Sequence, residues 1–131
     1  MAATSTVTSV AFNRTALVTG ATKGIGRALA LELASQGCRV IACGRNKSDL
    51  ESLSGEWSNA SFHRCQVLDV TNDDEVSRWK EALEREDIVP DLIVNNAGVT
   101  NDLAPLWEIS KDDFAAVIQV NVLGKVSSCY V

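Results

Sequence analysis

Strand-like and helix-like segments alternate along the chain from Thr15 onward, and this alternation limits the folds that are open to it. The predicted strands are Thr15–Thr19, Arg39–Cys43, Ser61–Leu68 and Asp91–Asn95. The first, second and fourth are almost entirely apolar, as strands covered on both faces are. A helical pattern follows each strand, which predicts an α/β fold with a doubly wound parallel sheet. Because no strand follows the fourth helix, we expect the sheet to be incomplete at its C-terminal side.

The predicted helices have recognisable ends and apolar faces. The second, third and fourth are predicted to begin with a capping box, in which two side chains bond each other's backbone N–H: Ser48–Glu51, Thr71–Asp74 and Ser110–Asp113. The first helix is predicted to end at Gly37, since glycine suits the left-handed conformation after a helix. Helical spacing predicts the apolar faces of the first, third and fourth helices: Ile25, Leu29 and Leu33; Val76, Trp79 and Leu83; Phe114, Val117 and Ile118.

Composition and charge exclude several classes of function. The net charge of −5 and the lack of a Lys/Arg block argue against a nucleic-acid or anionic-membrane partner, and no run reaches the length of a membrane span. The four cysteines lack metal-ligand spacing, and the only histidine, His63, is predicted to lie on the third strand without a role, so we expect no metal site. Scattered thiols favour a cytoplasmic protein. Residues 1–13 are predicted to be a disordered tail, and residues 14–131 the N-terminal part of a single domain.

Gly20, Gly24 and Gly26 lie in the turn between the first strand and the first helix. Glycines at such a turn let a pyrophosphate approach the backbone, and the helix N-terminus adds free N–H groups and the positive end of a dipole. The pattern is not a P-loop, because no Gly-Lys-Ser/Thr sequence follows at the required place. A purely structural glycine-rich turn is the alternative, and the rest of the sequence must separate the two.

Four stretches occur in order along the chain: Thr19-Gly20-x-x-x-Gly24-Ile25-Gly26, Asp69-Val70, Asn95-Asn96-Ala97-Gly98 and Asn121-Val122-x-Gly124. Together they resemble the classical short-chain dehydrogenase/reductase family. The resemblance implies a Rossmann-like fold and hydride transfer between a nicotinamide cofactor and a carbonyl or secondary alcohol of a small molecule. It implies that Asp69 and Val70 contact the adenine of that cofactor. The implied cofactor-binding residues are Gly20, Thr22, Lys23, Gly24, Ile25, Gly26, Arg45, Asn46, Asp69, Val70, Asn96, Ala97 and Gly98.

The end of the second strand bears on which cofactor is used. A site for NAD places an acidic residue there to hold the ribose 2′-hydroxyl, but this chain has Gly44 followed by Arg45. A guanidinium binds a 2′-phosphate with a planar fork of donors, and Lys23 in the glycine turn could reach the same phosphate. Basic residues at both places imply NADP(H) by resemblance to the family. The alternative is that both are ordinary solvated loop residues.

Asn121 lies on the apolar face of the fourth helix, where a buried amide must be hydrogen-bonded. By resemblance it is the family's catalytic asparagine, which holds a water in the proton relay; a satisfied core asparagine is the alternative. The family's catalytic Tyr-x-x-x-Lys does not occur in these 131 residues, whose only tyrosine is Tyr130. We therefore expect the cofactor-binding half of an oxidoreductase, inactive alone and homo-oligomeric only in a full-length form. A truncated nucleotide-binding or regulatory variant is the competing hypothesis.

Overall fold

The computed structural model describes residues 14–131, so the tail predicted over residues 1–13 lies outside the described residues. Four parallel strands form one sheet: β1 (Thr15–Thr19), β2 (Arg39–Gly44), β3 (Arg64–Val67) and β4 (Leu92–Val94). The main helices are α1 (Gly24–Ser35), α2 (Lys47–Glu56), α3 (Asp73–Arg85) and α4 (Lys111–Ile118). A π-helical turn, Gln119–Leu123, joins α4 to α5 (Gly124–Ser128). The predicted alternation and the doubly wound parallel sheet are confirmed.

Each face of the sheet has its own hydrophobic core, as the alternation of side chains along a strand requires. Leu17 of β1 and Ile41 of β2 pack with the buried face of α3, which is formed by Val76, Trp79 and Leu83 as the spacing predicted. Their neighbours Val18 and Val40 point to the opposite face. There they pack with residues of α1 and α2 such as Ala30 and Leu53. Helices therefore cover both faces.

The strand order β3-β2-β1-β4 positions the functional site. From β1 the chain moves outward to β2 and β3, then crosses back to place β4 on the other side of β1. The segments that follow β1 and β4 go on to opposite faces of the sheet, α1 to one and the π-helical turn to the other, and a crevice opens at the carboxyl ends of the strands. In a doubly wound sheet this switch point is where ligands bind.

Two of the predicted helix ends are confirmed and two are wrong. Gly37 has φ +87° after α1, and Ser110 caps α4 by accepting a hydrogen bond from Asp113 N. The cap of α2 is Asn46, not Ser48, and the cap of α3 is Asn72, not Thr71. The side chains of Asn46 and Asn72 accept from Asp49 N and Glu75 N. The hydroxyls of Ser48 and Thr71 are instead bonded to Asn46 Oδ1 and Asp69 Oδ1.

The third strand is shorter than predicted, and His63 has a structural role. Residues Ala60–Phe62 form a turn of 3₁₀-helix, so β3 begins only at Arg64. His63 is buried just before it, and its Nδ1 accepts a hydrogen bond from Val40 N at 3.0 Å. Burial, reinforced by the charge of Arg39, lowers the pKa of His63 and keeps the imidazole neutral, as an accepting Nδ1 requires.

The C-terminal part of the fold is more exposed than the sequence suggests. Leu92 of β4 is 44% exposed, because β4 is an edge strand whose only partner within residues 14–131 is β1. The face of α4 predicted to be apolar and buried is also open, with Phe114 46% and Ile118 38% exposed. Among the described helices, none is both long and apolar enough to cross a membrane.

Candidate functional site

A cleft of about 390 Å³ opens at the carboxyl ends of β1, β2 and β4, where the topology places the ligand site. It brings together most of the residues predicted from sequence: Gly20, Thr22, Lys23, Arg45, Asn46, Asp69, Val70, Asn96, Ala97 and Gly98. Gly24, Ile25, Gly26 and Asn121 lie outside its lining. Lining residues that sequence reasoning missed are Cys43, Asp49, Leu68, Val99 and Val120. Each of these except Asp49 is a direct chain neighbour of a residue that was singled out, which is the signal that could have found it.

The glycines of the turn allow it to pack directly against the loop after β4. A Cβ on Gly20 would lie 2.8 Å from Ala97 Cα, and Gly20 itself has φ +64°. A Cβ on Gly26 would lie 2.5 Å from Gly20 O and would also overlap the side-chain amide of Asn96. That amide donates to Thr19 O and Gly20 O, both at 3.1 Å. Asn96 therefore holds the loop after β4 against the end of β1, in addition to lining the cleft.

Thr19, the last residue of β1, also holds the loop after β4 in place, and sequence reasoning missed this role. Its hydroxyl is buried and accepts hydrogen bonds from Asn96 N and Ala97 N, each at 3.0 Å. The same hydroxyl donates to Val94 O at 3.3 Å. A polar residue directly after the apolar run Ala16–Val18 was the available signal. One side chain thus joins the end of β1 to the loop that begins Asn95-Asn96-Ala97.

The N-terminus of α1 differs from those of α2, α3 and α4 in its capping and in its charge. A side chain caps each of α2, α3 and α4, and each has an acidic residue in its first turn. In α1 the cap position is Lys23, no side chain bonds the exposed N–H groups, and the first turn contains no acid. Gly24 has φ +58° and open space around it, and Ile25 is 79% exposed at the start of this helix. The arrangement suits an anion supplied by a ligand.

Charged side chains of both signs line the cleft. Lys23 and Arg45 are exposed, and neither forms an ion pair with any residue in the described range 14–131. Partial burial acts to raise the pKa of Asp69, but two hydrogen bonds from Thr71 and the charge of Arg45 outweigh it, so the pKa is lowered. Asp69 is therefore an acceptor at neutral pH. Gly44 lies under the methyl group of Thr22, and a Cβ there would be 2.5 Å from Thr22 Cγ2.

The cysteine in the lining is not suited to nucleophilic chemistry. Burial is the main cause that raises the pKa of Cys43 to about 12. A backbone hydrogen bond at Gly20 acts to lower this pKa, and the nearby Cys65 acts to raise it. The thiol therefore remains protonated at neutral pH, whereas a nucleophilic cysteine needs a thiolate. Its backbone contributes instead, because Cys43 O accepts a hydrogen bond from Ala21 N at 3.0 Å and ties the turn to β2.

Asn121 lies in the π-helical turn and is bonded to the same loop from the other side. Its Oδ1 accepts from Val99 N at 2.9 Å, and its Nδ2 donates to Val99 O at 2.8 Å. The expectation that this amide would be hydrogen-bonded is met, with a backbone peptide as its partner. Asn121 therefore supports Val99, which lines the cleft, instead of lining the cleft itself.

A second cleft of about 510 Å³ adjoins the first and shares Arg45, Val99 and Val120 with it. Its other walls come from the segment after Val99 and from α4, and they include Asp102, Glu108 and Asp113. The loop after β4 thus forms one wall of each cleft.

Comparison with known proteins places this geometry in a family. The sequence profile of the short chain dehydrogenases matches residues 14–130. The chain is 42% identical over 116 residues to the NADPH-dependent pterin aldehyde reductase of Arabidopsis thaliana, covering 88% of this chain and 48% of that protein. It is 41% identical over 108 residues to gluconate 5-dehydrogenase of Gluconobacter oxydans, covering 82% and 42% respectively.

Solved structures give the same result. The crystal structure of serine dehydrogenase from Escherichia coli superposes with a TM-score of 0.80 at 32% identity, covering 88% of this chain and 53% of that one. The chain spans about half the length of the relatives that it matches. With profile, sequence identity and fold in agreement, the chain belongs to the short-chain dehydrogenase/reductase family.

Proposed function

We propose that the cleft binds NADP(H) and that the protein is an oxidoreductase. The hydride would pass between the nicotinamide and a small molecule, either to a carbonyl or from a secondary alcohol. The observation that carries the proposal is the uncapped, acid-free N-terminus of α1, whose cap residue Lys23 lines the cleft together with Arg45. Neither cation has an ion-pair partner within residues 14–131. When bound, the cofactor supplies the hydride chemistry, and the protein supplies binding and orientation. The NADPH-dependent relative from Arabidopsis thaliana supports the choice of cofactor.

The residues of the cleft divide between the parts of the cofactor. The glycine turn and the first turn of α1, with Gly24, Ile25 and Gly26, would hold the pyrophosphate by backbone N–H groups. Lys23 and Arg45 would hold the adenosine 2′-phosphate, with Thr22 and Asn46 beside them, because a dianion matches two unpaired cations. Asp69 and Val70 would contact the adenine, and the backbone of Asn96, Ala97 and Gly98 would form the floor of the site.

Asn121 is proposed as the catalytic asparagine of the family. Both ends of its amide bond Val99, yet each end keeps one further hydrogen-bonding capacity, since an amide nitrogen has two hydrogens and an amide oxygen two lone pairs. A proton-relay water can therefore bind without releasing Val99. We also propose a cytoplasmic location, which the four free cysteines within the described part of the chain favour, and homo-oligomers only for a longer form.

Arg45→Ala is expected to weaken NADPH binding about ten- to hundredfold and to leave NADH binding unchanged. Hydrogen bonds to charged groups contribute about 1.5–3 kcal/mol, and only NADPH has the 2′-phosphate that receives them. Dissociation constants from calorimetric titration with each nucleotide test this. Lys47→Ala is the matched control, because it removes a positive charge two residues away that lies outside the cleft. Equal loss of both nucleotides in Arg45→Ala would contradict the assignment.

The competing candidate is a nucleotide-binding variant without catalysis. Its test concerns these 131 residues themselves, which contain no Tyr-x-x-x-Lys sequence, whose tyrosine is the general acid/base of the family. We expect the purified 131-residue chain to bind NADPH without oxidising it in the presence of pterin aldehyde, keto-sugar-acid or simple aldehyde substrates, each of which offers a carbonyl to accept the hydride. Absorbance at the reduced-nicotinamide band measures turnover directly. Oxidation above that of heat-denatured protein would show that other residues supply the proton.

A further inference from the structure

The side chain of Arg27 joins three segments around the cleft without lining it. Arg27 lies in α1, and its Nη1 donates to Thr22 O at 3.4 Å and to Asp49 O at 3.1 Å. Its Nη2 donates to Ser52 Oγ at 3.1 Å and also pairs with the carboxylate of Glu56. The glycine turn, α1 and α2 thus meet at one guanidinium, whose side chain is 22% exposed.

The segments that Arg27 joins are those that carry the two free cations of the cleft. Thr22 directly precedes Lys23, and Asp49 lies in the first turn of α2, which follows Arg45 and its neighbour Asn46. A second contact also fixes the position of Thr22, because its methyl group packs on Gly44. The side chains of Lys23 and Arg45 have no ion-pair partner in the described part of the chain to orient them. The distance between them therefore depends on how the turn and α2 are held together.

We propose that Arg27 is a positioning residue that fixes the spacing of Lys23 and Arg45, and through it the preference for a 2′-phosphorylated cofactor. The inference rests on the proposed function and adds a residue that makes no contact with the nucleotide. A guanidinium suits this task because its planar fork of donors serves acceptors in several directions at once. A lysine at the same place would keep the charge but could not reach acceptors on both the turn and α2 in fixed geometry.

The test compares the binding of NADPH and NADH by the 131-residue chain with Arg27→Lys, Arg27→Gln and Glu56→Gln. We expect Arg27→Lys and Arg27→Gln to raise the dissociation constant of NADPH about tenfold and that of NADH less than threefold. The ratio of the NADH dissociation constant to the NADPH dissociation constant, which measures the preference for NADPH, therefore falls. Glu56→Gln should lower the ratio less, because it removes one charge and leaves the bonds from Arg27 to Thr22 and Asp49. A purely structural role would weaken both nucleotides equally and leave the ratio unchanged, which would overturn the inference.

The two levels of the proposal fail in different ways. If the unsubstituted chain does not prefer NADPH, the cofactor assignment fails and Arg27 has no preference to set. If the unsubstituted chain prefers NADPH and Arg45→Ala abolishes the preference, but Arg27→Lys retains it, then the cofactor assignment stands and the positioning role is wrong. Should Arg27→Gln not fold, Arg27→Lys and Glu56→Gln still decide the question, because both retain polar partners at this junction.

Discussion

Gly26→Ala is expected to abolish NADPH binding and to lower the free energy of unfolding by about 3 kcal/mol. An alanine methyl group would overlap Gly20 O and the amide of Asn96, which at that position donates to the carbonyls of Thr19 and Gly20. Overpacking of a tight core typically costs about 1–3 kcal/mol, and here the obstructing atoms are mostly backbone. The start of α1 must move away from the turn, which takes the helix N-terminus away from the pyrophosphate. Urea unfolding and calorimetric titration with NADPH measure the two effects.

Gly55→Ala is the matched control for that substitution. Gly55 lies near the end of α2 and is exposed, and a methyl group on its Cα would meet nothing within 4 Å beyond its chain neighbours and the backbone of its own helix. Alanine in place of a helical glycine stabilises by up to about 1 kcal/mol, so this variant should be at least as stable as the parent chain and bind NADPH equally. If Gly26→Ala also bound NADPH like the parent chain, the close packing of turn, helix and loop would not be required for the site.

Thr19→Val is the second substitution with a large expected effect, about 2–3 kcal/mol of unfolding free energy. Valine has the same shape as threonine, but it leaves the half-buried Ala97 N without its acceptor and removes the bond to Val94 O. An unsatisfied buried donor costs about 1–3 kcal/mol. Asn96 N is less affected, because it also donates to Val94 O at 2.9 Å. Urea unfolding gives the loss in stability, and hydrogen exchange should become faster at the amide of Ala97.

Thr19→Ser separates the hydroxyl from the methyl group. Serine keeps the oxygen that Asn96 N and Ala97 N require, so its cost should be that of one buried methyl group, about 1 kcal/mol. The amide of Ala97 should then exchange at a rate close to that in the parent chain. A serine variant as unstable as the valine variant would show that packing of the methyl group, and not the hydroxyl, holds the loop after β4.

The sequence was sufficient for features that depend on local pattern. Apolar runs and helical spacing predicted all four strands, the buried face of α3 and the end of α1 at Gly37. Gly20, Lys23, Arg45 and Asp69 were assigned to one cofactor site by resemblance to the family, and all four line one cleft. The strands and the apolar face of α3 need only the period of the side chains, whereas the assignment of the site needed the family motifs.

Features that depend on distant partners were out of reach. Arg27 has acceptors 22 to 29 residues away, one of them a backbone carbonyl, and no residue type in the sequence marks such a partner. His63 was assigned no role because its donor, Val40 N, lies on a neighbouring strand. Thr71 did not cap α3 because its N–H and hydroxyl both bond Asp69. In each case a tertiary contact selected among local options that the sequence leaves nearly equal.

The fastening of Val99 by Asn121 has a consequence for how this fold can change its chemistry. The loop after β4 is held as far as Val99, which is hydrogen-bonded to Asn121, and α4 begins with its cap residue Ser110. Between them, residues 100–109 make hydrogen bonds only among themselves within the described structure, and Leu103 and Trp107 project into solvent. We therefore expect that this stretch can be lengthened or shortened without disturbing the hydrogen bonds that hold the loop up to Val99. A change in its length would reshape the second cleft, whose wall it forms, while the residues that line the first cleft stay in place.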